Sequence, residues 1–334
     1  MGLARELREA PQVIAAQPQE LAGPLSELVA QLQGHPPSLV VTCARGSSAH
    51  AATFAKHLIE RNLGLPVAAA APNIASVYRR QLRLEGQLFL AISQSGRSDD
   101  LIAGAETAKA AGALTVALVN NTTSPLAAAC DIVLPMGAGP EMSVAATKSF
   151  VASLAALIRL VAVWAGDNRM RAALDRLPAR LAAASRLDWG AALDAVAAAP
   201  SLIAIGRGPT LAIAREAALK LKEVANLHAE AFSGAEFLHG PVALVSTRYP
   251  ILVLMPTDEA AAGLRRLAAD LAGKGAALLI AESGGALPAL PADHPETDAV
   301  CLIQSFYAML VRLAARLHID PDRPRHLQKV TRTR

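Results

Sequence analysis

The stretch FLAISQSGRSDD, residues 89–100, decides the fold because it passes from an apolar run to a polar turn and then to a helical pattern. Residues 89–92 are apolar, residues 93–96 are Ser-Gln-Ser-Gly, and apolar residues then return with helical spacing. The stretch therefore predicts a strand, a turn and a helix start, with polar side chains gathered in the turn.

The same succession of strand, Arg-Gly turn and Ala-rich helix occurs twice along the chain. SLVVTCARGSSAHAATFAKHL at residues 38–58 matches SLIAIGRGPTLAIAREAALKL at residues 201–221, and residues 88–98 fall on residues 250–260 at nearly the same offset. Each copy alternates short β-rich apolar runs with longer helical patterns, which is typical of a parallel sheet covered by helices on both faces. The sequence therefore predicts an α/β protein with two tandem, doubly wound, flavodoxin-like units.

The predicted organisation has four parts. The boundary between the two copies is expected near residues 186–199, after a long helical stretch from residue 147 to about residue 177. We expect a helical lead-in, a first domain, a second domain and an irregular tail rich in Pro and Arg, at residues 1–35, 36–188, 189–318 and 319–334 respectively.

Composition favours a compact protein that acts on a small molecule. The 334 residues are 53% hydrophobic and 18% charged, which excludes a disordered or fibrous chain. The most apolar segment, residues 149–166, contains Arg159, so we expect a core helix and no membrane span. The net charge of +4 is modest and aromatic residues make up only 3%, so no nucleic-acid surface is expected.

Cysteine usage fits a reducing compartment. The three cysteines lie far apart and form no Cys-x-x-Cys pair, so neither a disulfide framework nor a zinc cluster is expected; they are Cys43, Cys130 and Cys301. The sequence shows no signal peptide. We therefore expect a cytoplasmic protein without a bound metal.

Two serine-rich turns follow predicted strands of the first copy, Arg-Gly-Ser-Ser at residues 45–48 and Ser-Gln-Ser-Gly-Arg-Ser at residues 93–98. In a parallel sheet both would lie at one edge, where helix N-termini and hydroxyls can bind a phosphate group. The alternative is that these serines only cap helices and form turns. The second copy has Pro-Thr at residues 209–210 and Met-Pro-Thr at residues 255–257 in the equivalent places, which favours an anion site in the first copy.

A dinucleotide site is the main competing interpretation, because Gly206-Arg207-Gly208 follows a predicted strand. However, the third glycine of the fingerprint is missing, and the first copy's next strand, near residues 66–71, has no acidic residue for a ribose. We therefore expect no nucleotide cofactor.

A charged helix in the second copy offers another candidate site. Glu216, Lys220 and Glu223 are spaced four and three residues apart, so they share one helix face. Two interpretations stay open: a solvated face of ion pairs, or a carboxylate and an ammonium held at a cleft for proton transfer.

Several single residues have default structural interpretations. His228 is expected to be a structural histidine directed toward the core, whereas His239, which precedes Gly-Pro, is expected in an accessible loop. Glu141 precedes a predicted helix and is expected to cap its N-terminus. Lys148 is interpreted as a surface lysine and Lys329 as an ordinary lysine of the tail.

Five segments together resemble the sugar isomerase (SIS) family across nearly the whole chain. The strongest resemblance is to the isomerase half of glutamine–fructose-6-phosphate aminotransferase, and the segments are ARGSSAHAA, ISQSGRSDD, EMSVAATKSF, EAALKLKEVANLHAEAFSGAEFLHGP and DRPRHLQKVT. The resemblance implies two tandem SIS domains, a phosphorylated sugar as ligand, no metal or organic cofactor, and a homodimer with a shared active site.

The resemblance also implies binding roles. Ser47 would contact the sugar and Val144 would offer it backbone contacts. The phosphate group would be bound by five residues of the serine-rich turns: Ser48, Ser93, Gln94, Ser95 and Ser98.

Four further residues would carry the chemistry. Glu223 would be the base that moves a proton between C1 and C2 of the open-chain sugar, with Lys220 beside it. His239 would assist ring opening in the active site of the partner subunit. Lys329 would lie at the sugar carbonyl, where the tail closes the site.

The expected activity follows from the domain content. The aminotransferase carries an N-terminal glutaminase domain, whereas residue 2 is Gly here and the first repeat begins near residue 38, so we expect no such domain. The chain is then similar to stand-alone enzymes of this branch, which convert glucosamine 6-phosphate to fructose 6-phosphate and ammonia. Free ammonia is scarce, so mass action favours deamination over synthesis.

Two alternatives stay open. One is an isomerase or deaminase for another phosphorylated amino sugar, and the other is a sugar-phosphate sensor without turnover. Arg45 and Ala146 stand where the synthase has cysteine and serine, so contacts to the hydroxyl or amino groups of the sugar are expected to differ.

Overall fold

The structure is a computed structural model that describes residues 2–329. Residue 1 of the predicted lead-in and residues 330–334 of the predicted tail lie outside the described residues. A long helix, α1 (Gly2–Gly34), comes first.

The first sheet has five parallel strands in the order β2-β1-β3-β4-β5. Its strands are β1 (Val40–Ala44), β2 (Val67–Ala69), β3 (Leu88–Ser93), β4 (Leu114–Val119) and β5 (Ile132–Pro135). The helices of this part are α2 (Gly46–Leu63), α3 (Asn73–Ser76), α4 (Asp99–Ala110), α5 (Pro125–Ala129) and α6 (Lys148–Trp164).

The second sheet repeats this plan with parallel strands in the order β10-β9-β8-β6-β7. Its strands are β6 (Ser201–Gly206), β7 (His228–Ser233), β8 (Pro250–Leu254), β9 (Ala277–Glu282) and β10 (Leu287–Pro288). The remaining helices are α7 (Asn168–Ala184), α8 (Gly190–Ala197), α9 (Thr210–Ala225), α10 (Ala260–Gly273) and α11 (Pro295–Arg316). In each sheet the first strand has the second on one side and the third on the other, so the predicted α/β class and the duplication are confirmed.

The chain divides into two compact units. The first unit contains the first sheet and comprises Gln12–Glu141, Lys148–Asp175 and the tail residues 328–329. The second unit contains the second sheet and comprises residues 2–11, Met142–Thr147 and Arg176–Leu327.

Each sheet has its own core. All six side chains of β3 are buried, as expected for a central parallel strand covered on both faces. In the first unit Phe89 packs with apolar residues of the flanking helices, and in the second unit Ile251 and Val253 of β8 do the same. Burial of these continuous apolar runs is the dominant stabilising term of such a sheet.

The long helical stretch predicted from residue 147 to about residue 177 is two helices, α6 and α7. Gly166 has a φ of +68° and interrupts the helical backbone after α6. Asp167 then accepts hydrogen bonds from the backbone N–H groups of Arg169 and Met170, which starts α7. Because the helical spacing of the apolar residues continues across this break, periodicity alone does not reveal it.

Among the described residues, one helix is long and apolar enough to cross a membrane by length and composition, α11. However, 78% of its apolar window is buried inside the protein, which is typical of a core helix. The segment that is most apolar by sequence lies mostly in α6, and nearly all of that helix is buried as well.

Candidate functional site

The two serine-rich turns lie side by side at one edge of the first sheet. Strands β1 and β3 pair in parallel up to Ala44 and Ile92, so residues 45–48 and residues 93–98 leave neighbouring strands at their carboxyl ends. Because β2 pairs with the other side of β1, the order in which strands are added to the sheet reverses between β1 and β3. Open α/β sheets bind their ligands at such a switch point.

The hydroxyls of the second turn are oriented by the backbone. Ser93 Oγ accepts the N–H of Gly96 at 3.1 Å, and Ser95 Oγ accepts the N–H of Arg97 at 3.4 Å. Each hydroxyl keeps its own proton for another acceptor. Ser98 is the N-cap residue of α4, yet its side chain makes no capping hydrogen bond. This turn can therefore donate several O–H groups to an anion.

The first turn offers backbone donors. Ser47 and Ser48 lie in the first turn of α2, whose N-cap residue, Arg45, provides no side-chain cap. The first N–H groups of a helix have no intrahelical carbonyl partner, and the helix dipole favours negative charge there. This N-terminus is suited to a phosphate group.

Three features fix the geometry of this edge. Gly96 has a φ of +61°, and a Cβ atom there would come within 2.0 Å of Ser124 Oγ, so only glycine fits the turn. Arg45 links the first turn to the start of α4, because its Nε and Nη2 atoms donate to Asp100 Oδ2 at 2.9 and 2.6 Å. The carbonyl of Gln94 also accepts the N–H of Asn120, which anchors the second turn to the end of β4.

In the second unit, the charged face of α9 is buried. The side chains of Glu216 and Lys220 have 0% exposure, and that of Glu223 has 21%. Lys220 Nζ lies 3.1 Å from Glu216 Oε1 and 2.5 Å from Glu223 Oε2, while the Tyr307 hydroxyl is 3.1 Å from Glu216 Oε1. The solvated-face interpretation is therefore wrong for Glu216 and Lys220.

The neighbouring carboxylates keep the buried Lys220 protonated. Burial lowers the pKa of Lys220, but the carboxylates of Glu216 and Glu223 outweigh it, so the pKa lies above its ordinary value of 10.5. Lys220 is thus an ammonium at neutral pH. It holds a carboxylate, Glu223, that is still partly accessible and can exchange a proton with a bound molecule.

Glu216 and Tyr307 complete the cluster; the sequence indicated Glu216 on the charged helix face but gave it no role in the reaction, and it did not indicate Tyr307. The spacing of Glu216 four residues before Lys220 was visible in the sequence. Tyr307 lies 91 residues from Glu216 along the chain, on α11, and no pattern indicated its contact.

The two histidines differ from each other in their placement. His239 follows a 3₁₀ turn, Glu236–Leu238, and is exposed, in agreement with a loop position. No hydrogen bond or ion pair within the described part of the chain joins it to Lys220 or Glu223. The interpretation of His228 as a core histidine is wrong: Asn226 takes the left-handed conformation (φ of 52°) and ends α9, so His228 begins β7 and is exposed.

The segment Met142–Thr147, which contains Val144, belongs to the second unit. The N–H groups of Met142 and Ser143 donate to Glu6 Oε1, and Ser143 Oγ donates to Asp322 Oδ1 at 3.1 Å. These contacts hold the backbone in an irregular path that bends at residues 143–145. Val144 itself is half-buried.

Glu141 and Lys329 meet in the first unit. Glu141 is buried and accepts the N–H of Ser149 at 3.0 Å and its hydroxyl at 2.7 Å, so it caps α6 as expected. Lys329 Nζ lies 3.0 Å from Glu141 Oε2, which places this tail lysine on a buried carboxylate.

Lys148 is not a surface lysine, because it is 2% exposed and donates to the carbonyl of Pro140 at 2.8 Å.

Among the described residues, no group of three or more His, Cys, Asp and Glu side chains is arranged to hold a metal ion. The three cysteines are free and buried. Burial raises the pKa of each of these thiols to about 12, so none is a thiolate at neutral pH.

A family model for the SIS domain matches residues 38–163 and 196–315. Among curated relatives, glutamine–fructose-6-phosphate aminotransferase (isomerizing) of Zymomonas mobilis is 33% identical over 314 residues, covering 87% of this chain and 51% of the relative. The protein of the same name from Caulobacter vibrioides is 33% identical over 317 residues, with the same coverage. The chain spans about half the length of the curated relatives it matches.

Comparison with solved structures supports the same family. A protein from Silicibacter pomeroyi DSS-3, described as a candidate phosphosugar isomerase, is 44% identical with a TM-score of 0.92, covering 96% of this chain and 100% of that one. The C-terminal domain of glucosamine-fructose-6-phosphate aminotransferase from Francisella tularensis is 25% identical with a TM-score of 0.86, covering 97% and 98%. Glucosamine-6-phosphate deaminase from Thermotoga maritima is 21% identical with a TM-score of 0.79 over both whole chains, a likeness of fold.

Proposed function

The chain belongs to the SIS domain family, and from that premise we propose that it is a phosphosugar isomerase that converts glucosamine 6-phosphate to fructose 6-phosphate and ammonia. The proposal rests first on Glu223, a partly exposed carboxylate held by the fully buried ammonium of Lys220. Moving a proton between adjacent carbons needs one carboxylate that can reach both, with a cation nearby to stabilise the oxyanion that develops.

The phosphate is proposed to bind at the edge of the first sheet. The O–H groups of Ser93, Ser95 and Ser98 and the N-terminus of α2 at Ser48 supply donors there, with Gln94 in the same turn. A phosphate bound far from the reacting carbons provides binding energy that orients the flexible open-chain sugar. Ser47 and the backbone at Val144 are the proposed contacts to the sugar itself.

In the proposed reaction, Glu223 takes the proton from C2 of the open-chain aldehyde, and the electron pair forms a C1–C2 double bond with an oxyanion at C1 next to Lys220. Return of that proton to C1, with transfer of one proton from the nitrogen to the C1 oxygen, gives the 2-imine of fructose 6-phosphate. Water then adds to the imine carbon and ammonia leaves. Every atom of the products comes from the sugar and one water molecule, so the reaction consumes no cofactor or metal.

His239 and Lys329 are proposed to act in other steps of this reaction. His239 would assist ring opening from a partner subunit, so the functional form would be a homodimer. Lys329 would approach the sugar carbonyl after leaving Glu141, its partner at 3.0 Å. The reducing compartment suggested by the three free cysteines is the cytoplasm.

One observation favours a related substrate as a second candidate. Arg45, in the first serine-rich turn, binds through its guanidinium to Asp100 in the first turn of α4. A half-exposed cation at this edge changes which sugar hydroxyl or amino groups fit beside the phosphate. Another phosphorylated amino sugar, such as galactosamine 6-phosphate, is therefore the alternative substrate.

The test is to incubate the purified protein with glucosamine 6-phosphate and measure ammonia and fructose 6-phosphate together. Glu223→Gln should abolish both products while changing the affinity for the sugar phosphate only a few fold. Glu230→Gln, an exposed carboxylate on β7, is the matched control and should keep wild-type turnover. Product from galactosamine 6-phosphate alone would move the assignment to the second candidate, and binding without turnover of either sugar would indicate a sensor.

A further inference from the structure

A cavity of about 270 Å³ opens at the carboxyl edge of the second sheet. It is lined by the loops that follow β8 and β9, at residues 255–258 and 282–283, and by side chains of α7 and α11. In the duplicated plan, residues 255–257 take the place that residues 93–95 take in the first unit. The cavity therefore occupies the position at which the first sheet presents its serine-rich turn.

The charges around this cavity differ from those of an anion site. Its lining contains two guanidinium groups and three carboxylates, namely Arg180, Arg265, Asp258, Glu282 and Asp298. Arg180 Nη2 is already 2.8 Å from Asp298 Oδ1, and Arg265 Nη2 is 3.3 Å from Glu282 Oε2. A phosphate dianion would meet paired cations and an excess of negative charge, so a phosphorylated ligand is disfavoured.

One wall of the cavity is organised for hydroxyl groups. Asp298 is 7% exposed and accepts the O–H of Thr257 at 2.7 Å, which leaves the Thr257 oxygen free to accept another hydrogen bond. The guanidinium of Arg180 interacts with the Cys301 thiol, and its buried Nε atom has no oxygen acceptor among the described residues. A ligand oxygen that accepted a hydrogen bond from this guanidinium would be stabilised, because a buried donor without an acceptor is destabilising.

Burial raises the pKa of the Cys301 thiol to about 12, with the charge of Arg180 opposing this rise. The thiol is therefore neutral at physiological pH and adds an apolar surface to the same wall. Two half-buried carboxylates also line the cavity, Asp258 from the loop after β8 and Glu282 from the end of β9. Carboxylates in a cavity lining favour an ammonium group.

We propose that this cavity binds a small, non-phosphorylated polyol that carries an amine, with the class of unmodified amino sugars as the best match. The hydroxyl groups would bind Thr257 and Arg180, and the ammonium would bind Glu282 and Asp258. Small-molecule pockets span roughly 300–1,000 Å³, so a cavity of about 270 Å³ is at the small end and suits a ligand of the size of one monosaccharide. This inference does not depend on the proposed reaction, since it concerns a different edge and a ligand without phosphate.

The second unit contains a reporter for this site. The indole N–H of Trp189 donates to the carbonyl of Pro288 at 2.9 Å, and the next two residues, 289 and 290, line the cavity. The chain has two tryptophans, so Trp164→Phe leaves Trp189 as the single fluorophore. Its emission should change when the cavity is filled.

The experiment titrates the Trp164→Phe protein with glucosamine, and with glucose as the probe that lacks an amine. We expect a saturable change with glucosamine, one site per chain by calorimetry, and at least tenfold weaker binding of glucose. The paired substitutions Asp258→Asn and Glu282→Gln preserve size and should weaken glucosamine at least tenfold.

Ser95→Ala, in the other sheet, is the matched control and should leave glucosamine binding unchanged. No saturable binding up to about 100 mM, far above a millimolar Kd, would overturn the proposal. So would unchanged binding in the Asp258→Asn, Glu282→Gln protein, or loss of binding in Ser95→Ala. Ammonia release from glucosamine 6-phosphate is measured on the same samples, so failure of this inference and failure of the proposed reaction are separate results.

Discussion

Replacing Glu216 by glutamine removes one negative charge from a cluster in which the lysine is completely buried. Lys220 Nζ lies 3.1 Å from Glu216 Oε1 and 2.5 Å from Glu223 Oε2, and both Glu216 and Lys220 have 0% exposure. Glutamine has nearly the same shape and can still accept the hydroxyl of Tyr307. The substitution therefore isolates the charge of Glu216 from its packing.

The loss in free energy of unfolding depends on which negative charges remain around the Lys220 ammonium. Removing one partner of a buried ion pair destabilises a protein by about 3–5 kcal/mol, because the other charge stays desolvated. Glu223 still compensates Lys220 here, so we expect the lower end, about 3 kcal/mol, which is roughly a hundredfold in the unfolding equilibrium.

The pH dependence has a definite sign. The pKa of Lys220 is raised in the folded protein, because the two carboxylates outweigh the lowering caused by burial. The resulting stability is fully present below the ordinary pKa of 10.5 and is lost as pH rises through the higher folded value. The difference between wild type and Glu216→Gln should therefore be constant at neutral pH and shrink only above pH 10.5.

The assay is urea unfolding followed by the fluorescence of Trp189, in a Trp164→Phe background that confines the signal to the second unit. The exposed control, Glu230→Gln, should stay within about 0.5 kcal/mol of wild type, and Tyr307→Phe should cost about 1 kcal/mol. If Glu216→Gln unfolds like Glu230→Gln, then Glu216 does not stabilise the buried ammonium, and the electrostatic reasoning for the cluster fails.

Three further predictions concern other parts of the chain. Gly96→Ala should lower the free energy of unfolding by about 1–3 kcal/mol in urea and weaken phosphosugar binding, because φ is +61° and the new Cβ atom would clash with Ser124. An unchanged unfolding midpoint would contradict the claim that only glycine fits this turn. Burial raises the pKa of Asp322, but the hydrogen bonds that it accepts outweigh burial and lower the pKa. Asp322→Asn should therefore lower the unfolding midpoint at pH 7, and the difference from wild type should shrink below pH 3.8. A difference that does not depend on pH would contradict this reasoning. Glu141→Gln removes the ion pair of Lys329, so trypsin should cleave after Lys329 several-fold faster, and equal cleavage rates would show that the pair does not hold the tail.

The sequence was sufficient for the fold because the information is local. Apolar runs such as residues 89–92 end in a turn and a helix start, and the structure places β3 and α4 there. Duplication strengthened the prediction, since two weak patterns in the same order are stronger evidence than one. The shared edge of the two serine-rich turns also followed, because in parallel sheets the carboxyl ends of neighbouring strands lie together.

Burial of charge was not predictable in the same way. Glu216 and Lys220 have the spacing of surface ion pairs, and only the packing of α11 on α9, with Tyr307 at its centre, removes them from water. Lys329 reaches Glu141 across 188 residues of chain. A single sequence carries the periodicity of each helix but not the identity of a partner that is distant along the chain.

The duplication also bears on why the serines are present in the first unit. If they served only to start helices, Ser98 should cap α4 through its side chain, but it makes no such hydrogen bond. The second unit starts its equivalent helices without serine and without a side-chain capping hydrogen bond: the N-cap residues are Pro209 for α9 and Glu259 for α10. Helix initiation therefore does not require serine at these positions. The O–H groups of Ser93, Ser95 and Ser98 can instead donate to a ligand that accepts hydrogen bonds, and this is the physical reason for proposing a phosphate there.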